Sequence, residues 1–275
     1  VLEFYTPMKA MIFAAGLGTR LKPLTDSIPK ALAPVAGHTL LYHVLMRLRD
    51  SGIDEFVINV HHFADKVIDY VHGTPELAAM NIKFSDERDL LRNTGGGIRY
   101  ARPLLGGDHF LIHNVDIISD LDIGWFESEI RPDAMSTLLV SQRKTQRYFL
   151  FDENMRLQGW TNLATGAVKT PFRNLDPSRC HMGAFAGIHL PSHTIFEAFD
   201  AIDATPAAYP LYDESGTIIP GSQDVLGQCF SVVDFYLRAA AKYPIYGKEP
   251  SHLTLIDAGK PETLSQAETF LSGGR

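Results

Sequence analysis

The chain has 275 residues, of which 45% are hydrophobic, and this is enough to bury a large core in one large α/β domain or two smaller ones. Its net charge of −7 argues against a nucleic-acid partner, and no run approaches the roughly 20 apolar residues that cross a bilayer, so we expect a cytoplasmic protein with no membrane partner. Cys180 and Cys229 are the two cysteines, and their separation indicates neither a disulfide framework nor a thiolate zinc site.

Apolar runs alternate with amphipathic stretches in the first half of the chain. In chain order the pattern predicts strand 8–15, helix 39–51, strand 55–60, helix 64–72, strand 81–85, a glycine cluster leading into a helix over 96–102, and strand 109–115. This alternation of strand and helix predicts a parallel, doubly wound sheet. Val1–Pro7 precedes the first strand and is interpreted as a leader, a cloning remnant or an extra edge segment.

Short strand-like runs separated by turns are typical of the second half. The predicted elements are strands 135–141, 147–152, 156–160 and 184–190, a helix over 223–242, strands 245–247 and 252–256, and a closing helix from Pro261. The buried side of helix 223–242 is expected to carry Val225, Cys229, Val232, Val233 and Tyr236. We expect hairpins to extend the sheet here, in a single domain whose nucleotide-binding half covers 8–130 and whose second-substrate half covers 131–275.

The segment that follows the first strand indicates a phosphate site. Gly16-Leu17-Gly18-Thr19-Arg20 forms a glycine turn in which backbone N–H groups can approach a ligand, and Lys22 and Lys30 add positive charge. A dinucleotide-binding turn would have a third glycine at Leu21, and a Walker loop would end in Gly-Lys-Ser/Thr, so both of these motifs are excluded. The expected ligand is a polyanion, most simply a triphosphate.

The full run Ala14-Ala15-Gly16-Leu17-Gly18-Thr19-Arg20-Leu21-Lys22-Pro23-Leu24-Thr25, followed by Pro29-Lys30, resembles the signature of the sugar-1-phosphate nucleotidylyltransferases. The chain is most similar to compact single-domain members, such as N-acetylmuramate-1-phosphate uridylyltransferases and mannose-1-phosphate guanylyltransferase-like proteins. The resemblance implies a Rossmann-like sheet and Mg²⁺-dependent transfer of a nucleotidyl group from an NTP to a sugar 1-phosphate. It also implies that Ala14–Thr19 bind the nucleotide, that Arg20 stabilises the leaving pyrophosphate and that Lys30 binds phosphate oxygens.

Thr94-Gly95-Gly96-Gly97 is the second glycine cluster, between a predicted strand and a predicted helix. Such a position allows close backbone approach to a polar or anionic ligand, although a flexible turn would also explain the glycines. In the family that the chain resembles, the matching Thr-Gly lies against the nucleotide base. The resemblance therefore implies base contacts at Thr94 and Gly95.

Two acidic residues follow predicted strands. Asp116 comes after strand 109–115 and Asp257 after strand 252–256, where a carboxylate can hold a hard cation but can equally form a turn or a helix cap. The resemblance implies that both bind Mg²⁺, since the family has Asp at the two matching motifs. The chain departs from the first motif at Val115, where the family usually has glycine, and this departure puts the local backbone geometry in question.

The second-substrate motif is weaker. Val168-Lys169-Thr170-Pro171 and the later strand containing Gly187 resemble the family's Glu-Lys-Pro and glycine-containing strand, which implies that Lys169 holds the sugar phosphate. A solvated hairpin lysine is an equal alternative, and Val168 replaces the acid that reads sugar hydroxyls. The sequence therefore does not identify the sugar. Among the possible nucleotide-sugar products, one that contains uridine is slightly preferred. A cytidylyltransferase for a phosphate such as choline phosphate, or a catalytically weak nucleotide-sugar sensor, stays open.

Overall fold

The strands and helices of the protein are taken from a computed structural model that describes residues 8–273, so the expected leader Val1–Pro7 lies outside the described residues. In chain order they are β1 (Lys9–Phe13), β2 (Pro34–Val35), β3 (His38–Thr39), α1 (Leu40–Asp50), β4 (Glu55–Val60), α2 (Ala64–Gly73), α3 (Pro75–Ala78), β5 (Asn81–Asp86), α4 (Asn93–Tyr100), β6 (Phe110–Asn114), β7 (Ile117–Ser119), α5 (Ile123–Ser128), β8 (Ser136–Ser141), β9 (Arg147–Phe151), β10 (Leu157–Asn162), β11 (Ala167–Lys169), β12 (His181–Pro191), α6 (Thr194–Ala204), α7 (Val232–Ala239), β13 (Ile245–Lys248), β14 (Leu255–Asp257) and α8 (Pro261–Gly273).

These elements divide into two compact units. The first contains the residues up to Leu91, Pro103–Trp125 and the segment from His252, and the second contains Arg92–Arg102 and Phe126–Ser251. The chain therefore leaves the first unit twice and returns to it near its end. The expected assignment of one substrate to 8–130 and the other to 131–275 stays a prediction.

A parallel sheet forms the centre of the first unit. Its strands lie in the order β6, β1, β4, β5, and all three pairings are parallel. The residues of β1, β4 and β6 are mostly buried, as expected for parallel strands that are covered on both faces, whereas most residues of β5 are exposed or half-buried. Thr39 begins α1 by accepting the backbone N–H of Tyr42 at 3.1 Å, and the apolar side chains of α1 are buried. The α/β fold class expected from the sequence is confirmed.

Antiparallel hairpins form the sheet of the second unit, as the sequence predicts. β10 pairs with β9 and β11, and β12 pairs with β8 and β9, all antiparallel, while β13 adds to β8 in parallel. The β8–β12 register shifts between Phe185 and His189, and Gly187 lies within this irregularity with a positive φ of 75°. Glycine adopts that backbone conformation without the strain of a Cβ.

The predicted helix over 223–242 is wrong in its first half. Helix α7 covers Val232–Ala239 only, and Gly227, inside the predicted range, has a positive φ of 66°, which the backbone of a right-handed helix does not allow. Ser231 begins α7 by accepting the backbone N–H of Val233 at 3.1 Å. The expected burial of Val225 and Cys229 is also wrong, since Val225 is 60% exposed and Cys229 is exposed.

The start of α4 and the presence of α6 also differ from the sequence predictions. Helix α4 begins at Asn93, so Thr94–Gly97 lie in its first turns and not in a turn before it. Helix α6 was not predicted, although Ile195, Phe196, Ala198, Phe199 and Ile202 are buried on one side of it at helical spacing. Among residues 8–273, no helix is both long enough and apolar enough to cross a membrane.

Candidate active site

The segment after β1 carries the predicted phosphate-binding turn on its surface. Ala14 and Ala15 are buried, whereas Gly16, Leu17 and Thr19 are exposed. Among the described residues, no heavy atom beyond the chain neighbours lies within 4 Å of the point where a Cβ would stand on Gly16. This part of the main chain is therefore exposed, and its binding of a ligand stays a prediction.

Gly18, within this turn, packs closely against the side chains of Lys30 and Thr25. It has a left-handed φ of 63°, and a Cβ built on it would lie only 2.9 Å from both Lys30 Cβ and Thr25 Cγ2. Thr25 Oγ1 also donates to the Gly18 carbonyl at 2.8 Å. Glycine is therefore required at this position twice, for its φ and for the close packing of the Lys30 side chain.

The two predicted metal ligands are brought together by strand pairing within the first unit. β14 pairs antiparallel with β7 in a register that places Asp257 opposite Ile117, the residue after Asp116. Val115, whose replacement of glycine put the geometry in question, is buried and does not have a positive φ. The backbone at this position therefore accommodates a β-branched side chain, and Asp116 keeps its place after β6.

Gly259 marks the point where the charged groups converge. A Cβ built on it would lie 2.7 Å from Asp257 Oδ1, 3.0 Å from Asp116 Oδ2 and 2.6 Å from Arg20 Nη2. Asp257 Oδ1 also accepts the backbone N–H of Gly259 at 3.0 Å. The absence of a side chain at Gly259 thus leaves a space that two carboxylate oxygens and one guanidinium group share.

Two cations neutralise the two acids. Lys30 Nζ contacts Asp116 Oδ2, and these side chains are only 13% and 12% exposed. Arg20 Nη2 lies 3.8 Å from Asp116 Oδ2 and 3.7 Å from Asp257 Oδ1, while the Arg20 side chain is 50% exposed. Lys22 stands apart from this cluster, because it pairs with Asp26 at 3.0 Å on the surface. Arg20 is therefore the cation best placed to reach a ligand from this site.

The electrostatic environment keeps Asp257 ionised. Burial alone would raise the pKa of its carboxyl group, but Arg20 and the hydrogen bond from the Gly259 N–H outweigh burial and lower the pKa below its usual value. An ionised carboxylate is the form that binds a hard cation.

The donor set fits a divalent cation held with the help of its substrate. Within residues 8–273, no group of three or more His, Cys, Asp and Glu side chains could hold a metal ion by itself. Asp116 and Asp257 nevertheless bring one carboxylate oxygen each to the same side of Gly259, next to Arg20. Mg²⁺ is commonly held by one or two carboxylates together with water and substrate phosphates. The residues present therefore fit Mg²⁺ in this second manner.

Thr94 and Gly95, the predicted base contacts, lie in the second unit. Gly95 N donates to the carbonyl of Phe230 at 2.9 Å, and Thr94 Oγ1 accepts the backbone N–H of Val232 at 2.9 Å. A Cβ on Gly95 would lie 2.4 Å from the Phe230 ring. Packing against Phe230 therefore accounts for this glycine, and the Gly95 N–H already has an acceptor.

Lys169, also in the second unit, lines a cavity of about 430 Å³. Its Nζ pairs with Asp234 Oδ1 at 2.7 Å and lies 5.6 Å from the centre of the Trp160 ring. Val168 is buried, so the position of the missing acid faces the interior. Asp234 was not predicted as a site residue. The cavity is also lined by Asn93, Ser231, Leu211, Ile219 and Val225.

Comparison with known proteins identifies the family. The family model described as nucleotidyl transferase matches residues 9–148. N-acetylmuramate alpha-1-phosphate uridylyltransferases of Caulobacter vibrioides and Neisseria meningitidis serogroup B are each 45% identical to this chain, over 113 and 115 residues respectively. These matches cover 41% and 42% of this chain and 47% and 49% of the relatives. Mannose-1-phosphate guanylyltransferase 1 of Arabidopsis thaliana is 33% identical over 116 residues, covering 41% of this chain and 32% of that protein.

Solved structures extend the similarity of fold to nearly the whole chain. HddC from Yersinia pseudotuberculosis, complexed with GMP-PN, has a TM-score of 0.68 at 20% identity and covers 96% of this chain and 99% of its own. UDP-glucose pyrophosphorylase complexed with UDP-glucose has a TM-score of 0.69 at 14% identity, covering 98% and 100%. The chain spans about half the length of the uridylyltransferases that it matches. Because the family model covers more than half of it, the chain belongs to the nucleotidyl transferase family.

Proposed function

We propose that the protein transfers a nucleotidyl group from an NTP to a sugar 1-phosphate and releases pyrophosphate. The observation that carries this proposal is the convergence of Arg20, Asp116 and Asp257 on the space above Gly259. A reaction between phosphates requires neutralisation of charge and alignment more than covalent help from the protein. A paired set of carboxylates and cations beside an open glycine turn is suited to both requirements.

The residues of the first unit have different proposed roles in the reaction. Asp116 and Asp257 would hold Mg²⁺, which supplies charge neutralisation at the reacting phosphates when it is bound. The exposed turn from Gly16 to Thr19 would bind the triphosphate. Arg20 is half-exposed and would stabilise the charge that develops on the leaving pyrophosphate.

A proton relay is not required for the bond exchange. An oxygen of the sugar 1-phosphate, already ionised at neutral pH, forms a bond to the α-phosphorus as the bond to the β-phosphate oxygen breaks. The electron pair of the broken bond leaves with pyrophosphate. Lys30, which contacts Asp116 in this structure, would bind α-phosphate or sugar-phosphate oxygens when substrate is present.

We further propose that the second substrate binds in the cavity beside Lys169. Its volume of about 430 Å³ lies within the range of small-molecule sites. Lys169 would meet the sugar phosphate after exchanging its partner Asp234 for phosphate oxygens. Thr94 remains proposed as a base contact, whereas the N–H of Gly95 is already bonded to Phe230.

Pyrophosphate release tests the proposal directly. The 45% identity to two N-acetylmuramate alpha-1-phosphate uridylyltransferases makes UTP with N-acetylmuramate 1-phosphate the first pair to assay. A full panel would combine the common NTPs with several sugar 1-phosphates and choline phosphate in the presence of Mg²⁺. Turnover with a sugar 1-phosphate supports the proposal, and turnover of choline phosphate alone would replace it. Silence across the panel together with tight nucleotide-sugar binding would indicate a sensor.

A further inference from the structure

A buried asparagine in the neighbouring strand hydrogen-bonds to the first residues of the proposed nucleotide-binding turn. Asn59 lies in β4, opposite Phe13 of β1, and is almost fully buried. Its Oδ1 accepts the backbone N–H groups of Ala14 at 2.8 Å and Ala15 at 3.3 Å. These two residues come just after β1 ends, where the sheet stops supplying acceptors. Buried backbone N–H groups need a partner, and here one side chain serves both.

A hydrogen bond to Glu87 fixes the orientation of the Asn59 amide through its nitrogen. Asn59 Nδ2 donates to Glu87 Oε1 at 2.8 Å, and Glu87 is fully buried. The main chain of Glu87 is itself held, since its N–H donates to Val60 O at 2.8 Å and its carbonyl lies 2.7 Å from His61 Nδ1. Backbone N–H groups only donate hydrogen bonds, so the amide oxygen must face Ala14 and Ala15, and this turns the amide nitrogen towards Glu87. The amide therefore satisfies all its partners in one orientation.

We propose that Asn59 is a positioning residue for the nucleotide-binding turn and that Glu87 fixes its orientation. The inference rests on the proposed role of that turn in NTP binding. Because the N–H groups of Ala14 and Ala15 are held by Asn59, the backbone donors for phosphates come from Gly16 onward. Asn59 touches no substrate and acts through the angle at which the chain leaves β1.

A charge exchange between Asn59 and Glu87 tests this arrangement. Asn59→Asp keeps the acceptor for Ala14 and Ala15 but places two carboxyl groups against each other, which must either repel or take up a proton, and both are unfavourable in a buried site. In a Glu87→Gln background, the same Asn59→Asp change leaves a carboxylate facing an amide donor. We therefore expect Asn59→Asp to be harmful beside Glu87 and nearly neutral beside the glutamine.

Amide hydrogen exchange in the free protein gives a readout that does not depend on activity. In a peptide covering residues 13–16, Asn59→Asp should speed exchange by about tenfold or more, as expected when a buried hydrogen bond is broken. The double variant should differ from Glu87→Gln alone by less than about threefold. Equal effects of Asn59→Asp in the two backgrounds would overturn the proposal.

Nucleotide binding gives the functional readout. Titration of UTP, or of whichever NTP the panel selects, should show about tenfold weaker binding in Asn59→Asp and Asn59→Ala than in the wild type. KM for that NTP should rise by a similar factor while kcat changes less. Val57→Ala, at another buried position of β4, is the matched control, because it should lower thermal stability while leaving the Asn59 hydrogen bonds to Ala14 and Ala15 in place.

The outcomes separate the two proposals. A wild-type protein that binds no NTP would overturn both. Normal NTP binding in the wild type that persists unchanged in Asn59→Ala would overturn only the positioning role. The same loss of NTP affinity in Val57→Ala as in Asn59→Ala would assign the effect to general loosening of β4 and would also overturn it.

Discussion

The backbone N–H of Ala258 donates to the carbonyl of Asp116 at 2.8 Å. This bond continues the β7–β14 pairing, in which Asp257 lies opposite Ile117. Main-chain hydrogen bonds therefore hold the two carboxylates near each other, independently of what the side chains bind. A substitution at either carboxylate should change the chemistry of the site without releasing β14.

Asp116→Asn tests the proposed metal site. Loss of the carboxylate removes one cation ligand and the partner of Lys30, so we expect kcat for pyrophosphate release to fall by about 100-fold or more. Thermal unfolding should stay cooperative, with a midpoint close to that of the wild type. Asp26→Asn, which removes a carboxylate that pairs with Lys22 on the surface, is the control and should retain activity. Near-normal turnover by Asp116→Asn would refute the metal assignment.

Lys30 and Lys169 are expected to differ in their effects. Lys30 is largely buried beside Asp116 and Gly18, so Lys30→Ala should lower kcat/KM by about 100-fold through loss of a charge next to the reacting phosphates. Lys169 is more exposed, and Lys169→Ala should raise KM for the sugar 1-phosphate by about tenfold with a smaller change in kcat. Steady-state kinetics with each substrate varied separately measure both. A larger loss for Lys169→Ala would mean that the two phosphate assignments are reversed.

Gly259→Ala tests the space shared by the charged groups. The new methyl group would stand within 3.0 Å of Asp257, Asp116 and Arg20 atoms, so it should displace at least one of them. We expect kcat to fall by about tenfold or more, as when one hydrogen bond to a charged group is removed. Gly73→Ala, where nothing described lies within 4 Å of the new Cβ, is the matched control. Equal activity of the two variants would show that the space above Gly259 is not used.

Because His189 is buried and resists protonation, we expect the protein to lose stability in mild acid. Burial lowers its pKa to about 3, and its Nδ1 lies 2.6 Å from the Tyr236 hydroxyl. In the unfolded chain the pKa is about 6.5, so between these values the unfolded state binds a proton that the folded state does not. The free energy of unfolding should therefore fall as the pH is lowered from 6.5 towards 3, by up to about 1.4 kcal/mol per pH unit from this residue.

Urea denaturation at several pH values between 7.5 and 4.5 measures this slope. His189→Gln should show a shallower dependence than the wild type, because glutamine does not titrate. Some slope should remain, since burial also lowers the pKa of His113 to about 4. Parallel curves for the wild type and His189→Gln would contradict the prediction.

Strands β1, β4 and β6 could be predicted from the sequence because most of their residues are apolar or buried. In Glu55–Val60 four of the six residues are apolar, and here the predicted and observed bounds agree. The first half of the helix over 223–242 was mispredicted, since apolar spacing cannot show that Gly227 adopts a positive φ. Local pattern thus predicted the strands more reliably than the loop before α7.

The candidate site could be predicted from the sequence only in part. The types of Arg20, Lys30, Asp116 and Asp257 indicated their chemistry, but the meeting of the two acids depends on the register of β7 and β14, which has no local signal. Asn59 had a signal that was not used, namely one amide inside an otherwise apolar buried strand. Asp234 had none, because its partner Lys169 lies 65 residues away in the chain.

The discontinuous first unit has a consequence for the order in which the protein matures. Lys30 and Asp116 emerge from the ribosome early, whereas Asp257 follows only after the whole second unit has been synthesised. Until β14 pairs with β7, Asp116 can contact Lys30 but has no second carboxylate across the space above Gly259. The proposed nucleotidyl transfer would therefore become possible only late in folding, and a nascent chain that stops before His252 would contain the glycine turn and Asp116 without the second proposed metal ligand, Asp257.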